Sequence, residues 1–416
     1  MRSFIVLLAL AAPFVALGAR TGATAGAQIQ RRILGPLGSY HPADGTTYAA
    51  PGVRDGTPLQ DAFAFGTNAI INRQSYNGFT FEENVRNNCG DWDANLVYGI
   101  VVPPTEGGSV NHPGDDDPIR PAASLPGMIQ GAHRFSELSR RCPQVAGIII
   151  DDVFNNYPKS ISAADLSAIK NALLGHAVDA DGRVDAASPA LTPGLKLFIV
   201  VYEHELNDVD PAIAAVTDGV SFWIWKQSEH YAQFDAYLDR LNTILPGRAI
   251  VPGVYVFNSG ETPSVESVHA LLNRDLQLYD EGRVNGPLIF SPIWLSRAHM
   301  SRERWDLLGL PALLDRVYYP QLGEASGRVV DVAGRPVSNA VVTVLRRVNG
   351  VTQVVGRKAT GASGRFRFGV WVGTGGAPRG VIDVRAVKDG RSSSAARASF
   401  AAGRTAHVQD LVLDVR

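Results

Sequence analysis

The sequence predicts an α/β fold, a (β/α)8 TIM-type barrel, joined to a C-terminal all-β sandwich. Three observations carry this. Apolar, strand-like runs alternate with helical patterns through the first three quarters of the chain. From Ala325 onward the helical period vanishes and short β-branched runs take over. No glycine fingerprint follows the first strands, which disfavours an open doubly wound sheet.

The barrel strands are expected at Asn68–Ile71, Leu96–Val102, Ala146–Ile150, Leu197–Tyr202, Gly219–Trp225, Ile250–Phe257 and Pro287–Trp294. An eighth must come from around Arg32–Tyr40 or be irregular. Helical patterns cover Ala163–Leu174, His230–Leu245, Ser264–Tyr279 and Ser301–Val317, with Ser162 as a start signal before Ala163. Residues 28–322 then form the barrel, a normal size for that fold at ~250 residues. Residues 323–416 form the sandwich, with strands at Gly327–Val332, Ala340–Arg346, Gly364–Val372, Val381–Val387 and His407–Val415.

Composition narrows the function. The 416 residues carry 39 Lys and Arg against 40 Asp and Glu, a net charge of −1. That balance gives no electrostatic reason to bind a phosphate backbone, so no nucleic-acid partner is expected. At 45% hydrophobic and 19% charged, the chain can bury a real core. Its 42 Gly and 25 Pro point to many turns. Two cysteines cannot build a disulfide scaffold or a four-Cys zinc site.

The N-terminus reads as a signal peptide over residues 1–27. Met1-Arg2 is a short positive region, Phe4 to Leu17 is apolar, and Ala25-Gly26-Ala27 or Ala16-Leu17-Gly18 offers a cleavage site. A membrane anchor is the alternative, but the run is shorter than the ~20 residues of a spanning helix. No later stretch is apolar for that long. The expectation is a secreted, periplasmic or extracellular protein with no transmembrane segment in the mature chain. There Cys89 and Cys142 could pair, closing a loop worth ~4 kcal/mol in the chain-entropy model. Two buried free thiols are the competing reading.

Chemistry should sit at the carboxyl ends of the barrel strands. The run Gly147 to Ile150 leads directly into Asp151 and Asp152. Carboxylates at the end of a buried strand are costly unless they have a purpose or a partner. Strand alternation sends only one of the two into the barrel mouth. The next strand leads into Glu203, His204 and Glu205, with both glutamates expected on one face. Carboxylates on adjacent strand ends suit glycoside hydrolysis, which needs two within ~5–9.5 Å. Trp223, Trp225, Tyr255 and Trp294 end later strands, followed in one case by Lys226, and Asn72 and Arg73 end an earlier one. Flat aromatic faces with a polar handle match the C–H faces of sugar rings, although ordinary core packing also uses such residues.

Weaker signals are Asp179, Asp181 and Asp185, a partial calcium loop without its closing Glu, and Asp115 to Asp117 in a Gly/Pro-rich loop. Both read better as solvated turns. His204 with the acids could instead hold a catalytic metal, yet no H-x-H or H-E-x-x-H spacing occurs. No metal and no cofactor are expected.

Two family resemblances follow from these residues. The "GIIIDD" strand end and the late Trp294 resemble the glycoside hydrolase barrels, the chitinase-like branch at the level of architecture. The D-x-x-D-x-D-x-E run of chitinases is absent, with Asn155 and Asn156 where its last acid would fall. In the C-terminal part, Gly327-Arg328-Val329, Asp331, Gly334, Pro336-Val337 and the Thr360-Gly361…Gly364-Arg365-Phe366 turn resemble the carboxypeptidase-regulatory-like β-sandwich. That resemblance implies an accessory module without catalysis. Together they imply a glycoside hydrolase acting on a polysaccharide or oligosaccharide. Asp152 would be the general acid or base, with Glu203 or Glu205 as partner and Asp151 in a supporting role. Trp223, Trp225, Tyr255, Trp294, Asn72 and Lys226 would line the sugar site. The alternative is a non-catalytic carbohydrate-binding or surface-associated protein on a degenerate barrel.

Overall fold

The computed structural model describes residues 38–41, 69–73, 96–101, 125–150, 153–154, 161–255, 263–290, 322–348, 351–371, 380–400 and 405–414. In the first part lie strands β1 (Gly38–His41), β2 (Ala69–Arg73), β3 (Leu96–Val101) and β4 (Val145–Ile150), with helix α1 (Leu125–Arg141) before β4. Helix α2 (Ala163–Leu173) and a short antiparallel hairpin, β5 (Ala177–Val178) and β6 (Val184–Asp185), lead to β7 (Lys196–Tyr202). Then come α3 (Ile213–Val216), β8 (Gly219–Trp223), α4 (Gln227–His230), α5 (Phe234–Ile244), β9 (Ala249–Tyr255), α6 (Val265–Asp280) and β10 (Leu288–Phe290).

Eight of these strands form one parallel sheet, paired in the order β1-β10-β9-β8-β7-β4-β3-β2. β1 also pairs in parallel with β2, His41 opposite Asn72, so the ladder returns to its first strand. The strand expected near Arg32–Tyr40 is β1, shifted by a few residues.

β4, β7, β8 and β9 are largely buried on both faces, which is why they read as continuous apolar runs. On β7, Leu197, Ile199 and Val201 join the large cluster under the helices. Phe198, Val200 and Tyr202 alternate with them into a second cluster on the inner face, with Ile149, Trp223, Tyr255 and Leu288. The close approach of Trp223 to β9 requires glycine there, since a Cβ at Gly253 would lie 2.1 Å from the Trp223 ring.

Helix starts follow their caps. Ser162 and Asp165 form a capping box at α2. Ser264 Oγ accepts the Ser267 N–H at the start of α6. The single helix expected over His230–Leu245 is instead divided: α4 ends at His230, a 3-10 turn spans Tyr231–Gln233, and α5 follows. Helix α1 was not singled out by the sequence; the Ser301–Val317 pattern lies outside the described residues.

The C-terminal part holds β11 (Leu322–Asp331), β12 (Val341–Val348), β13 (Val351–Ala359), β14 (Arg365–Trp371), β15 (Gly380–Lys388), β16 (Arg391–Ser392), β17 (Ala396–Phe400), β18 (Thr405–His407) and β19 (Leu411–Leu413). One sheet runs β14-β11-β18 with β19 also on β11, the other β13-β12-β15-β16 with β17 also on β15. Between them Val329, Val342, Val344, Phe366, Phe368, Ile382, Val384 and their neighbours form a separate core. The sequence pattern missed β13, β16 and β17, and the run expected over His407–Val415 holds the end of β18 and the separate β19.

The residues of the C-terminal motif interlock. Asp331 Oδ1 accepts the N–H groups of Ala333 and Arg335, both at 2.9 Å, closing the turn that Gly334 enters at φ 77°. The Arg335 N–H, first among several donors, holds the Asp331 carboxyl below the usual carboxylate range. Thr360 is buried; its hydroxyl donates to Val337 O at 2.7 Å and accepts the Ala340 N–H at 3.0 Å.

One carboxyl sits against these rules. Asp275 occupies the apolar stripe of α6 with Val268, Leu271, Leu272 and Tyr279, fully buried, and neither carboxylate oxygen has a hydrogen-bond partner. Burial pushes it well above the ordinary value; Arg274 pulls down and Asp235 adds to the rise. A folded-state pKa above the unfolded one means the native form holds the proton more tightly. The stability from this group is complete below the unfolded value of ~3.9 and is lost as pH rises through the raised folded value. Asp275→Asn should therefore flatten the fall in Tm with rising pH across that window. Parallel Tm-against-pH curves for wild type and variant would refute this.

Candidate functional site

The C-terminal ends of β7, β8 and β9 build the site. β7 stops at Tyr202, and Glu203–Glu205 form a 3-10 turn rather than more strand. The expectation that Glu203 and Glu205 alternate onto one strand face is therefore corrected: the backbone has already turned, and the two carboxylates have separate tasks. Glu205, 1% exposed, accepts the Tyr202 N–H at 2.9 Å across its own turn. Glu203, also buried, reaches over the end of β8. Its Oε2 accepts the Trp225 N–H at 2.8 Å and its Oε1 the Lys226 N–H at 3.4 Å.

A second difference lies at the end of β8. β8 ends at Trp223, so Trp223 and Trp225 do not share one strand face as the sequence suggested. Glu203 instead holds the backbone two and three residues past that end, at the Trp225 and Lys226 N–H groups. Trp223 points into the inner core at 2% exposure, its indole N–H donating to Ser221 Oγ at 2.8 Å. Trp225 is 37% exposed.

Around Glu203 the rings form a connected group. Tyr202 stacks on His204 at 5.5 Å and meets Trp225 edge-on at 5.6 Å. Trp225 is edge-on to Tyr255 at 6.1 Å, and Tyr255 lies 4.9 Å from Trp223 beneath it. His204 Nδ1 is 3.5 Å from Glu203 Oε2. Behind the site, the Tyr237 phenol is raised above its ordinary value, by burial first and the Glu203 charge second. The exposed Lys226 ammonium lies 3.6 Å from Glu229.

Sequence reasoning missed Gln227. Fully buried, its side-chain amide accepts the Tyr255 N–H at 2.8 Å and donates to Tyr255 O at 3.0 Å, as a neighbouring strand would. The available signal was Pro252 in β9, where the β8 ladder ends at the Phe222–Pro252 pair, because proline has no N–H to give.

Glu203, Trp225 and Tyr255 thus come together at one end of the parallel sheet. Trp223 and Tyr255 are largely shielded from solvent, so Trp225 is the ring with an accessible face among these three. Asn72 lies in β2, its backbone opposite Gly99 of β3. Asp151, Asp152, Trp294 and Cys89 lie outside the described residues. Cys142, directly after α1, is fully buried and disulfide-bonded. Asp179, Asp181 and Asp185 make turns: Asp179 Oδ1 accepts the Asp181 and Arg183 N–H groups, and Asp185 Oδ1 that of Ala187. Among the described residues, no three His, Cys, Asp or Glu side chains are grouped as a metal ion would need. No described helix is long and apolar enough to cross a membrane.

No protein-family model matches the chain, and no curated protein matches it. Among solved structures, it is similar to a Bacteroides thetaiotaomicron VPI-5482 protein assigned as an alpha-L-fucosidase, at 11% identity over 65% of this chain and 92% of that one, with a TM-score of 0.41. A family 18 chitinase from Crocus vernus is similar at 11% identity over 65% of this chain and 99% of that one, TM-score 0.36. The dioxygenase domain of a dioxygenase and carbohydrate-binding protein fusion from Streptomyces sp. SirexAA-E is similar at 20% identity over 24% of this chain and 84% of that one, TM-score 0.18. Likenesses this distant carry no functional weight.

Removing the Glu203 carboxylate should leave the Trp225 and Lys226 N–H groups without their acceptor, at about 1–3 kcal/mol. Glu203→Ala is expected to lose about that much in chemical denaturation and to shift the tryptophan emission. Glu203→Gln, which keeps one acceptor oxygen, should lose less. Unchanged stability in both would show that the contact does not hold this loop.

Proposed function

We propose that this chain is an exported glycoside hydrolase of the (β/α)8-barrel type, acting on a polysaccharide or oligosaccharide. In this reading residues 1–27 are removed as a signal peptide and 28–322 form the barrel. Residues 323–416 are an accessory module of the carboxypeptidase-regulatory-like kind. One observation carries the proposal: the ring group of Tyr202, His204, Trp225 and Tyr255 around buried Glu203, at the carboxyl ends of adjacent parallel strands. Barrel enzymes place their chemistry on that face, and an accessible indole offers a sugar ring a flat apolar partner. β4 neighbours β7 directly, and Asp151 and Asp152 follow the last residue of β4. Asp152 is then the general acid or base, with Glu203 or Glu205 as the second carboxylate and Asp151 in support. Lys226, Asn72 and Trp294 border the sugar site.

A second reading, a non-catalytic glycan-binding protein, is favoured by one specific observation. Glu203 and Glu205 each accept main-chain N–H groups, so both already serve as caps.

A panel of aryl glycosides and polysaccharides separates the two. The hydrolase reading expects turnover that Asp152→Asn reduces by about 10²–10⁴-fold with Tm unchanged, while Asp151→Asn retains most of it. Trp225→Ala should raise KM or weaken binding. Retained sugar binding without turnover in the wild type would support the second reading; neither binding nor turnover would remove both.

A further inference from the structure

Arg346 of β12 and Gln353 of β13 face each other across one antiparallel ladder. Both reach the same short segment of the other part of the chain, Tyr279 to Val284, which runs from the last turn of α6 into the loop before β10. The Arg346 guanidinium carbon lies 4.0 Å from the Tyr279 ring centroid. Its Nη1 donates to Tyr279 O at 3.1 Å, and Nη2 lies 3.6 Å from Asp280 Oδ1. Gln353 Nε2 donates to Val284 O at 3.2 Å.

These groups are enclosed. The Arg346 side chain is 12% exposed, and Tyr279, Val284 and Gln353 are buried. Ordering a long arginine costs rotamer entropy, and withdrawing its charge from water costs more unless it is paired. Here a ring face, a helix-terminal carbonyl and a carboxylate all answer it. A cation at the last turn of α6 also meets the negative end of the helix dipole. Exposed ion pairs contribute little because both charges stay solvated; this one is largely withdrawn from water.

We propose that this contact is a docking interface by which the C-terminal sheets are fixed to the rim of the parallel sheet where its strands begin. The segment they grip precedes β10, whereas Tyr202, Glu203, Trp225 and Tyr255 lie where the strands end. The C-terminal part is therefore a seated partner on the side away from the candidate site, not a tethered arm that swings over it. This inference is independent of the proposed carbohydrate activity.

Calorimetry of the full chain tests it. The wild type is expected to unfold in one cooperative transition. Arg346→Met should lower that transition by roughly 2–8 °C or split it in two as the parts uncouple. Arg346→Lys keeps the charge but not the fork, should produce a smaller shift, and serves if the Met variant does not fold. Two independent transitions in the wild type, or a transition that neither substitution moves, would overturn the proposal.

Discussion

The arrangement of this protein depends on how the inner face of its parallel sheet is filled. Trp223 lies flat against Gly253, so closely that even a methyl group there would collide with its ring. With that volume taken, the Tyr255 ring is carried above it. Tyr255 and Tyr202 are both edge-on to Trp225. Edge-to-face pairs of this kind add roughly 0.5–1.5 kcal/mol to the area they bury. A continuous series of rings thus runs from the inner core to a half-exposed indole.

The same strand ends must also dispose of their backbone donors, since a buried N–H without an acceptor is costly. Side chains perform this task where the ladders stop, Glu205 at the end of β7 by accepting the Tyr202 N–H. Gln227 completes β9 by presenting its amide to both polar groups of Tyr255. Glu203 completes the exit from β8 by accepting two successive N–H groups. Charge-assisted bonds of this kind are stronger than neutral ones, which is how a carboxylate can be kept under cover here. The structure thereby gives Glu203 a reason to be buried that does not require a reaction.

Most of the architecture was legible in the sequence because strands buried on both faces must be apolar throughout. Runs such as "KLFIVVY" and "AGIII" left little else for those segments to be. The ends were less legible. Whether Glu203 continues a strand or turns back to cap its neighbour depends on a residue 22 positions away, and no period in the local sequence records that contact. In the C-terminal part, "VTQVVGRKA" forms β13 although its exposed residues dilute the apolar pattern. The aromatic positions of the candidate site were found by type, but type could not separate Trp223, which fills the interior, from Trp225, which reaches solvent.

Parallel strands give the sheet two unlike rims, and the chain uses them differently. At the rim where strands end, Glu203, Glu205 and Gln227 close ladders, and among the described residues Trp225 is half-exposed beside them. At the rim where they begin, charge closes contacts between elements. Asp218 accepts the Leu197 N–H at 2.8 Å and pairs with both Lys170 and Lys196. Burial tends to raise the Asp218 carboxyl, but the Lys170 contact and the other donors outweigh it, leaving it below the ordinary value. Arg346 and Gln353 act at that same rim, on the last turn of α6 and the loop that follows it into β10. These polar contacts hold elements of the fold together. A site for a ligand is accordingly better sought at the opposite rim, where Trp225 keeps an accessible face.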